Sequence, residues 1–378
     1  MKTVQKHWTQ RNGWKPLYGN GVEGQVQLVF VFGERALFHD RAILEELRGL
    51  FPKAHLIGCS TAGEIAGVAV YDHTLVATGV WFERTELHVS WIRIEDMEAS
   101  YQAGQILSEG FDKEGLRHLF VLSDGLGVNG SALVKGLQSR LPEAVAVTGG
   151  LAGDQAFFEE TLVMLDDTIE IHGIAAVGFY GDALQIGYGS QGGWDSFGLD
   201  RLVTRSKANV LYELDGQPAL DLYKTYLGDK ATGLPATGLL FPLAMVLDGT
   251  EERLVRTILS VDEQTGSMTF AGDVPEGCYT RLMKANLERL VGGAIQAASE
   301  TQTLGVQRPD LALLISCVGR KLVLKQRVDE EVEGVQQVLG PQAALAGFYS
   351  YGEICPVGPC LTQAELHNQT MTITTFSE

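Results

Sequence analysis

Two stretches nearly three hundred residues apart share one unusual pattern. Gly58-Cys59-Ser60-Thr61-Ala62-Gly63-Glu64-Ile65 and Gly347-Phe348-Tyr349-Ser350-Tyr351-Gly352-Glu353-Ile354 both read Gly-x4-Gly-Glu-Ile. Each closes an apolar run of strand type, and a third relative, Thr148-Gly149-Gly150-Leu151-Ala152-Gly153-Asp154, lies between them. A strand that ends in a glycine-rich turn, repeated at intervals, constrains the chain to recurrent supersecondary units joined at similar turns.

The segments before each turn agree. Val26–Phe32 reads as a buried strand, Asp40 can cap a helix with Ile43, Leu44, Leu47 and Leu50 on one face, and 54–57 returns as a strand. The same order recurs at 119–122, 133–141 and 144–147, and again at 311–315, 328–338 and 343–346. Strand–helix–strand units favour parallel pairs. Between them, 76–82 and 87–94 read as a hairpin about Glu83-Arg84-Thr85-Glu86. The span 208–214 reads as helix, 219–227 as a second helix, and 287–298 as a long amphipathic one. Residues 1–25 carry no periodicity and read as an irregular lead-in.

The expected fold class is α/β: two related mixed-sheet domains of recurrent strand-helix-strand units with added antiparallel strands. Their expected spans are 26–214 and 215–378. A chain of 378 residues exceeds one ordinary core.

The carboxyl edge of a parallel sheet is where open α/β folds bind ligands. The expected ligand cleft is therefore built from Cys59, Ser60, Thr61, Gly63 and Glu64, from Asp154, and from Tyr349, Ser350, Tyr351 and Glu353. The alternative is that the glycines serve packing and the carboxylates cap turn amides. Asp124-Gly125-Leu126-Gly127-Val128-Asn129-Gly130 contains Gly-x-Gly-x-x-Gly, but no acidic residue ends the following strand, where a ribose contact belongs. It reads as a cleft loop with Asp124 and Asn129 as polar contacts.

A formal charge of −18 argues against a nucleic-acid partner, which needs a basic footprint. No apolar run of about eighteen residues is present, so membrane insertion is not expected. Five cysteines scattered over the chain fit a reducing, cytoplasmic setting. No paired histidine motif for zinc is present. His367 and Cys355, the latter opening Cys355-Pro356-Val357-Gly358-Pro359-Cys360, are the candidate ligands for a haem iron. Serine-elbow, phosphate-loop and kinase signatures are absent, which favours a binding protein over an enzyme. Cys59 is a candidate nucleophile without an evident base.

Taken with Asp124-Gly125, Leu214-Asp215-Gly216, Cys317-Val318-Gly319-Arg320 and His367-Asn368-Gln369-Thr370, these turns resemble the FIST family of intracellular sensory proteins over 26–370. The resemblance implies a FIST N region followed by a FIST C region, and ligand sensing in signal transduction, with small molecules such as amino acids as ligands. It further implies that a stand-alone bacterial member can bind haem, sense nitric oxide and act on a separate histidine kinase or cyclic-di-GMP enzyme.

Overall fold

Gly58, Gly149 and Gly347 occupy one structural position three times over. In the computed structural model, which describes residues 1–19, 21–246, 253–356 and 363–378, each sits in the second strand of a parallel pair. A Cβ there would lie 2.2 Å from the Val31 carbonyl oxygen at Gly58, and 1.8 Å from those of Val121 and Leu314 at Gly149 and Gly347. No side chain fits at such a distance, so these glycines let two strand backbones close on each other.

Around them the chain folds as three equivalent units. Leu28–Gly33, Leu116–Ser123 and Leu311–Cys317 are the first strands. They pair in parallel with His55–Ser60, Ala146–Leu151 and Ala344–Ser350. On their other side they pair antiparallel with Leu75–Trp81, Gly173–Tyr180 and Met371–Ser377. The intervening helices are Arg41–Leu50, Gly130–Gln138, and the pair Val318–Leu324 and Val328–Leu339. Asp40 accepts from the Ala42 and Ile43 amides, and Asn129 from that of Ala132, satisfying amides that the first helical turn leaves free.

The units then exchange strands in a ring. After its turn, the first unit sends Glu64–Ala66 to the third unit's Ala344–Ser350. The second sends Val163–Leu165 to His55–Ser60, and the third sends Gly352–Pro356 to Ala146–Leu151. The registers match: Ile65, Met164 and Ile354 face Gly347, Gly58 and Gly149. The last strands cross the opposite way. Glu86–Arg93 joins Gly173–Tyr180, and Gln185–Gln191 joins Met371–Ser377. Lys2–Thr9 completes the cycle on Leu75–Trp81.

Three sequence readings change as a result. Residues 76–94 are two strands but no hairpin, because Glu83–Glu86 carries the chain from one sheet to the next; the Glu378 carboxylate holds the Arg84 and Thr85 amides at 2.9 and 2.7 Å. The first 25 residues are not irregular: Lys2–Thr9 and Gly13–Tyr18 form an antiparallel ribbon whose polar side chains hide its alternation. The 208–214 segment is the strand Val210–Leu214, entered at Ala208 with a positive φ of 51° that stops helix formation. The helices Ala219–Leu227 and Leu287–Thr303 form where periodicity places them.

The mixed α/β class holds, with recurrent units joined into three mixed sheets. A fourth sheet of eight antiparallel strands is built within residues 194–285. Where the interlocked sheets meet, Phe32 packs against Phe348 in a tilted pair with ring centroids 4.6 Å apart, and Phe30 meets Phe120 edge-on at 5.3 Å. All four are buried, each stabilising the fold by about 1.5–3 kcal/mol.

Candidate functional site: a cleft beside the three turns

The three turns converge. The Ala62 amide donates to the Tyr349 carbonyl at 2.8 Å, and the Tyr349 amide returns to Gly63 at 2.8 Å. Gly153 donates to the Ser60 carbonyl at 2.9 Å, Gln155 to Thr61 at 3.2 Å, and Tyr351 to Leu151 at 3.2 Å. Strands paired across units bring these turns to one place.

Inside this junction the two matched carboxylates have matched partners. Thr61 and Thr74 each donate a hydroxyl to Glu64 at 2.7 Å. Ser350 donates to Glu353 at 2.6 Å, and the Thr370 hydroxyl and amide donate at 2.8 and 3.2 Å. Both carboxylates are inaccessible. Burial pushes Glu64 up to about 7 and Glu353 up to about 8, against the opposing pull of these hydrogen bonds. The register puts Val163 at the equivalent place in the second unit, so only two of the three positions carry a carboxylate.

The remaining predicted residues are bound up internally. The Ser60 hydroxyl accepts from the Leu162 amide at 2.9 Å. Asp124 accepts from the Leu126 amide at 2.9 Å and the Thr161 hydroxyl at 2.8 Å. Asp154 accepts from the amides of Phe158, Glu159 and Glu160 at 2.9–3.0 Å, from Arg35 at 3.3 Å, and from the Tyr351 hydroxyl. Tyr349 donates to Glu331 at 2.5 Å. Asn129 lies elsewhere, capping its helix and donating to Asp273 at 2.9 Å. Cys59 is inaccessible, and burial holds its thiol well above the usual range.

Buried Gly63 leaves room for a long side chain from the third unit: a Cβ there would sit 2.4 Å from Lys321 Nζ. Lys321 belongs to a cleft of about 550 Å³ on the outer side of the junction. One wall is Ala62 and Asp72, a second is Gln155-Ala156-Phe157, and the third is the helix face of Val318, Lys321, Leu322 and Lys325. Lys321 donates to the Ala62 carbonyl at 2.7 Å, pairs with Asp72, and lies 5.7 Å from the Tyr349 ring centroid. Gln155 donates to Asp72 at 3.3 Å. Phe157, 63% exposed, stands on the rim. The cleft thus combines two cations, Lys321 and Lys325, with one carboxylate, an amide and an apolar edge, and its volume falls in the range of about 300–1,000 Å³ typical of small-molecule sites.

Asp72, Gln155 and Lys321 were not legible as site residues, although Gln155 directly follows the predicted Asp154 and Lys321 directly follows the Cys317–Arg320 block that carries the family resemblance. Behind Lys321, Arg320 is wholly buried and donates to Glu331 at 2.7 Å and to the Gly192 and Leu290 carbonyls at 2.8 Å. This arrangement anchors the short helix that carries Lys321.

The haem-ligand candidates do not fit the group. His367 is bonded through Nε2 to the Cys355 carbonyl at 3.1 Å, and burial lowers its pKa to about 4. The Cys355 thiol is inaccessible and raised by burial. The nearby cavity, which Leu366 lines, measures about 160 Å³, small for a macrocycle, and neither candidate lines it. Cys360 lies outside the described residues. Among the described residues, no group of three His, Cys, Asp or Glu side chains is placed to hold a metal ion. No helix among them is long and apolar enough to cross a membrane.

The FIST N domain model matches residues 27–217, and the FIST C domain model matches 219–356. The chain belongs to the FIST family. FIST domains are associated with sensory signalling. An uncharacterized protein of Methanocaldococcus jannaschii is 23% identical over 318 residues, covering 78% of this chain, and the match spans 60% of that relative's length. A crystal structure of cyanuric acid hydrolase from A. caulinodans aligns with 78% of this chain and 99% of its own at 10% identity, with a TM-score of 0.20. In this FIST protein the cleft lies between the two matched regions: Ala62, Asp72 and Gln155 belong to the first, and Lys321 to the second.

Proposed function

We propose that this FIST protein is a ligand-binding sensor that takes a small polar metabolite of the amino-acid class into the Lys321 cleft and signals to a separate partner protein. The observation that carries the reading is the Lys321 contact with Ala62 and Asp72, which ties the two FIST regions together across the cleft floor. A ligand carboxylate competes with Asp72 for Lys321, and a ligand ammonium competes with Lys321 for Asp72. Either exchange loosens the direct tie and replaces it with one through the ligand, which gives binding a means of shifting the contact between the regions. Ala156, Phe157 and Leu322 offer apolar cover for a side chain.

The haem-based reading finds no support in the placement of His367 and Cys355, and no catalytic step is assigned to Cys59. A partner such as a histidine kinase or a cyclic-di-GMP enzyme accords with the family's sensory role.

The test is a thermal-shift screen of the amino acids, followed by calorimetry of any hit on the native protein, Lys321→Met and Asp72→Asn. The expected result is saturable binding weakened at least tenfold by both substitutions. Binding of equal strength in both variants places the ligand elsewhere and overturns the assignment. A haem titration read at the Soret band runs beside it, and stoichiometric uptake lost in His367→Ala overturns the amino-acid reading in favour of haem.

A further inference from the structure

A second cavity lies against the helix that Asn129 caps. It measures about 160 Å³ and runs between Ser131, Lys135 and Gln138 of the helix Gly130–Gln138 and a wall of Met245, Leu254 and Leu366. Its inner end is Arg256. Arg256 is 4% exposed, yet every hydrogen-bond acceptor of its guanidinium among the described residues is neutral. Nε donates to the Asp273 carbonyl at 3.0 Å, and Nη1 to the Leu366 carbonyl at 3.0 Å and the Val255 carbonyl at 3.4 Å. Nη2 makes one long contact, 3.4 Å to the Ser131 hydroxyl.

The Asp273 carboxylate beside it is committed elsewhere, to Lys135 at 2.8 Å and Asn129 at 2.9 Å. Glu365 stands exposed at the outer end. A buried cation without a contacting carboxylate is costly, and burial pulls the Arg256 pKa down to about 10. The planar fork of arginine matches a carboxylate, and Nη2 keeps an N–H that its single contact does not use. The apolar wall covers a short chain but offers nothing to a phosphate. Asp273 and Glu365 oppose a second negative charge.

We propose that this cavity binds a small aliphatic monocarboxylate, its head group on Arg256 and its chain against Met245, Leu254 and Leu366. Ser131 and Lys135 come from the FIST N region and Met245, Leu254 and Arg256 from the FIST C region, so the occupant bridges the two at a place separate from the Lys321 cleft.

The test uses sodium butyrate as probe on the full chain at fixed ionic strength, with sodium phosphate, butylammonium chloride and butanol as comparisons, read by calorimetry and thermal shift. Butyrate is expected to bind saturably and the other three not. Arg256→Lys, which keeps the charge but loses the fork, is expected to weaken butyrate at least tenfold. Gln138→Trp, a rim substitution away from the buried contacts, is expected to occlude the cavity to the same degree even where Arg256→Lys fails to fold. No saturable binding of butyrate, equal binding by Gln138→Trp, or equal stabilisation by phosphate or butanol each overturns the proposal.

Discussion

Replacing Arg320 with Met removes a charge that the fold holds wholly out of water. Glu331 then keeps the Tyr349 hydroxyl at 2.5 Å and the Ser316 hydroxyl at 3.2 Å but loses its only ionic partner among the described residues. The Gly192 and Leu290 carbonyls lose their donors in the same step. Removing one member of a buried pair costs about 3–5 kcal/mol, mostly as the penalty of the charge left behind. The assay is urea unfolding followed by tryptophan fluorescence. Trp194 is a local reporter, because its indole N–H donates to the Gln369 carbonyl at 3.0 Å, two residues along from Gly192. Glu331→Gln alone leaves the opposite orphan and is expected to cost a similar amount. Combining the two removes both charges, so the double variant is expected to lose less than the sum of the singles by at least about 1 kcal/mol. Strict additivity, or a loss under about 1 kcal/mol for Arg320→Met, refutes the reasoning.

Other consequences follow from the same contacts. Glu64 and Glu353 have folded-state pKa values raised to about 7 and about 8 above the ordinary 4.5, so the folded chain binds more protons than the unfolded chain in between. Stability is therefore greatest below pH 4.5 as far as these two groups are concerned. It falls as pH rises to about 7 for Glu64 and about 8 for Glu353. Glu353→Gln is expected to flatten the upper part of that decline in pH-dependent urea titrations. Gly347→Ala, whose Cβ would meet the Leu314 carbonyl at 1.8 Å, is expected to lower stability by at least about 1–3 kcal/mol. Gly292→Ala, in the helix Leu287–Thr303 with nothing within 4 Å of the new Cβ, is expected to raise it by about 0.5–1 kcal/mol; both are read by thermal unfolding. Asn129→Ala removes the cap on Ala132 and a donor to Asp273, with an expected loss of about 0.5–2 kcal/mol in the same assay.

Much of the local structure was legible in the chain. Asp40 announces a helix start because a short acceptor beside free amides has few other uses, whereas Asn129, read as a cleft contact, proves to cap its helix in the same way. The apolar runs at 28–32, 119–122 and 311–315 announce buried strands because only a strand covered on both faces tolerates them. The recurrence of Gly-x4-Gly-Glu-Ile, read from the sequence as the wall of a ligand cleft, marks one repeated structural position in which Glu64 and Glu353 sit out of reach of solvent, bonded to hydroxyls of their own and neighbouring turns.

The sequence by itself determined that the chain would build strand–helix–strand units and end their second strands in glycine turns, since those outcomes depend on neighbours a few residues apart. Tertiary structure alone decided which strand pairs with which. Glu64–Ala66 has the same local character whether it returns to its own sheet or crosses to Ala344–Ser350. The choice rests on backbone partners and packing surfaces hundreds of residues away. The hairpin expected at 76–94 becomes a passage between sheets for the same reason, and the site follows suit. Lys321 meets Ala62 and Asp72 only because the three units interlock, and the first Gly-Glu-Ile turn reaches the cleft through Ala62 while Glu64 and Glu353 stay buried in the junction beside it.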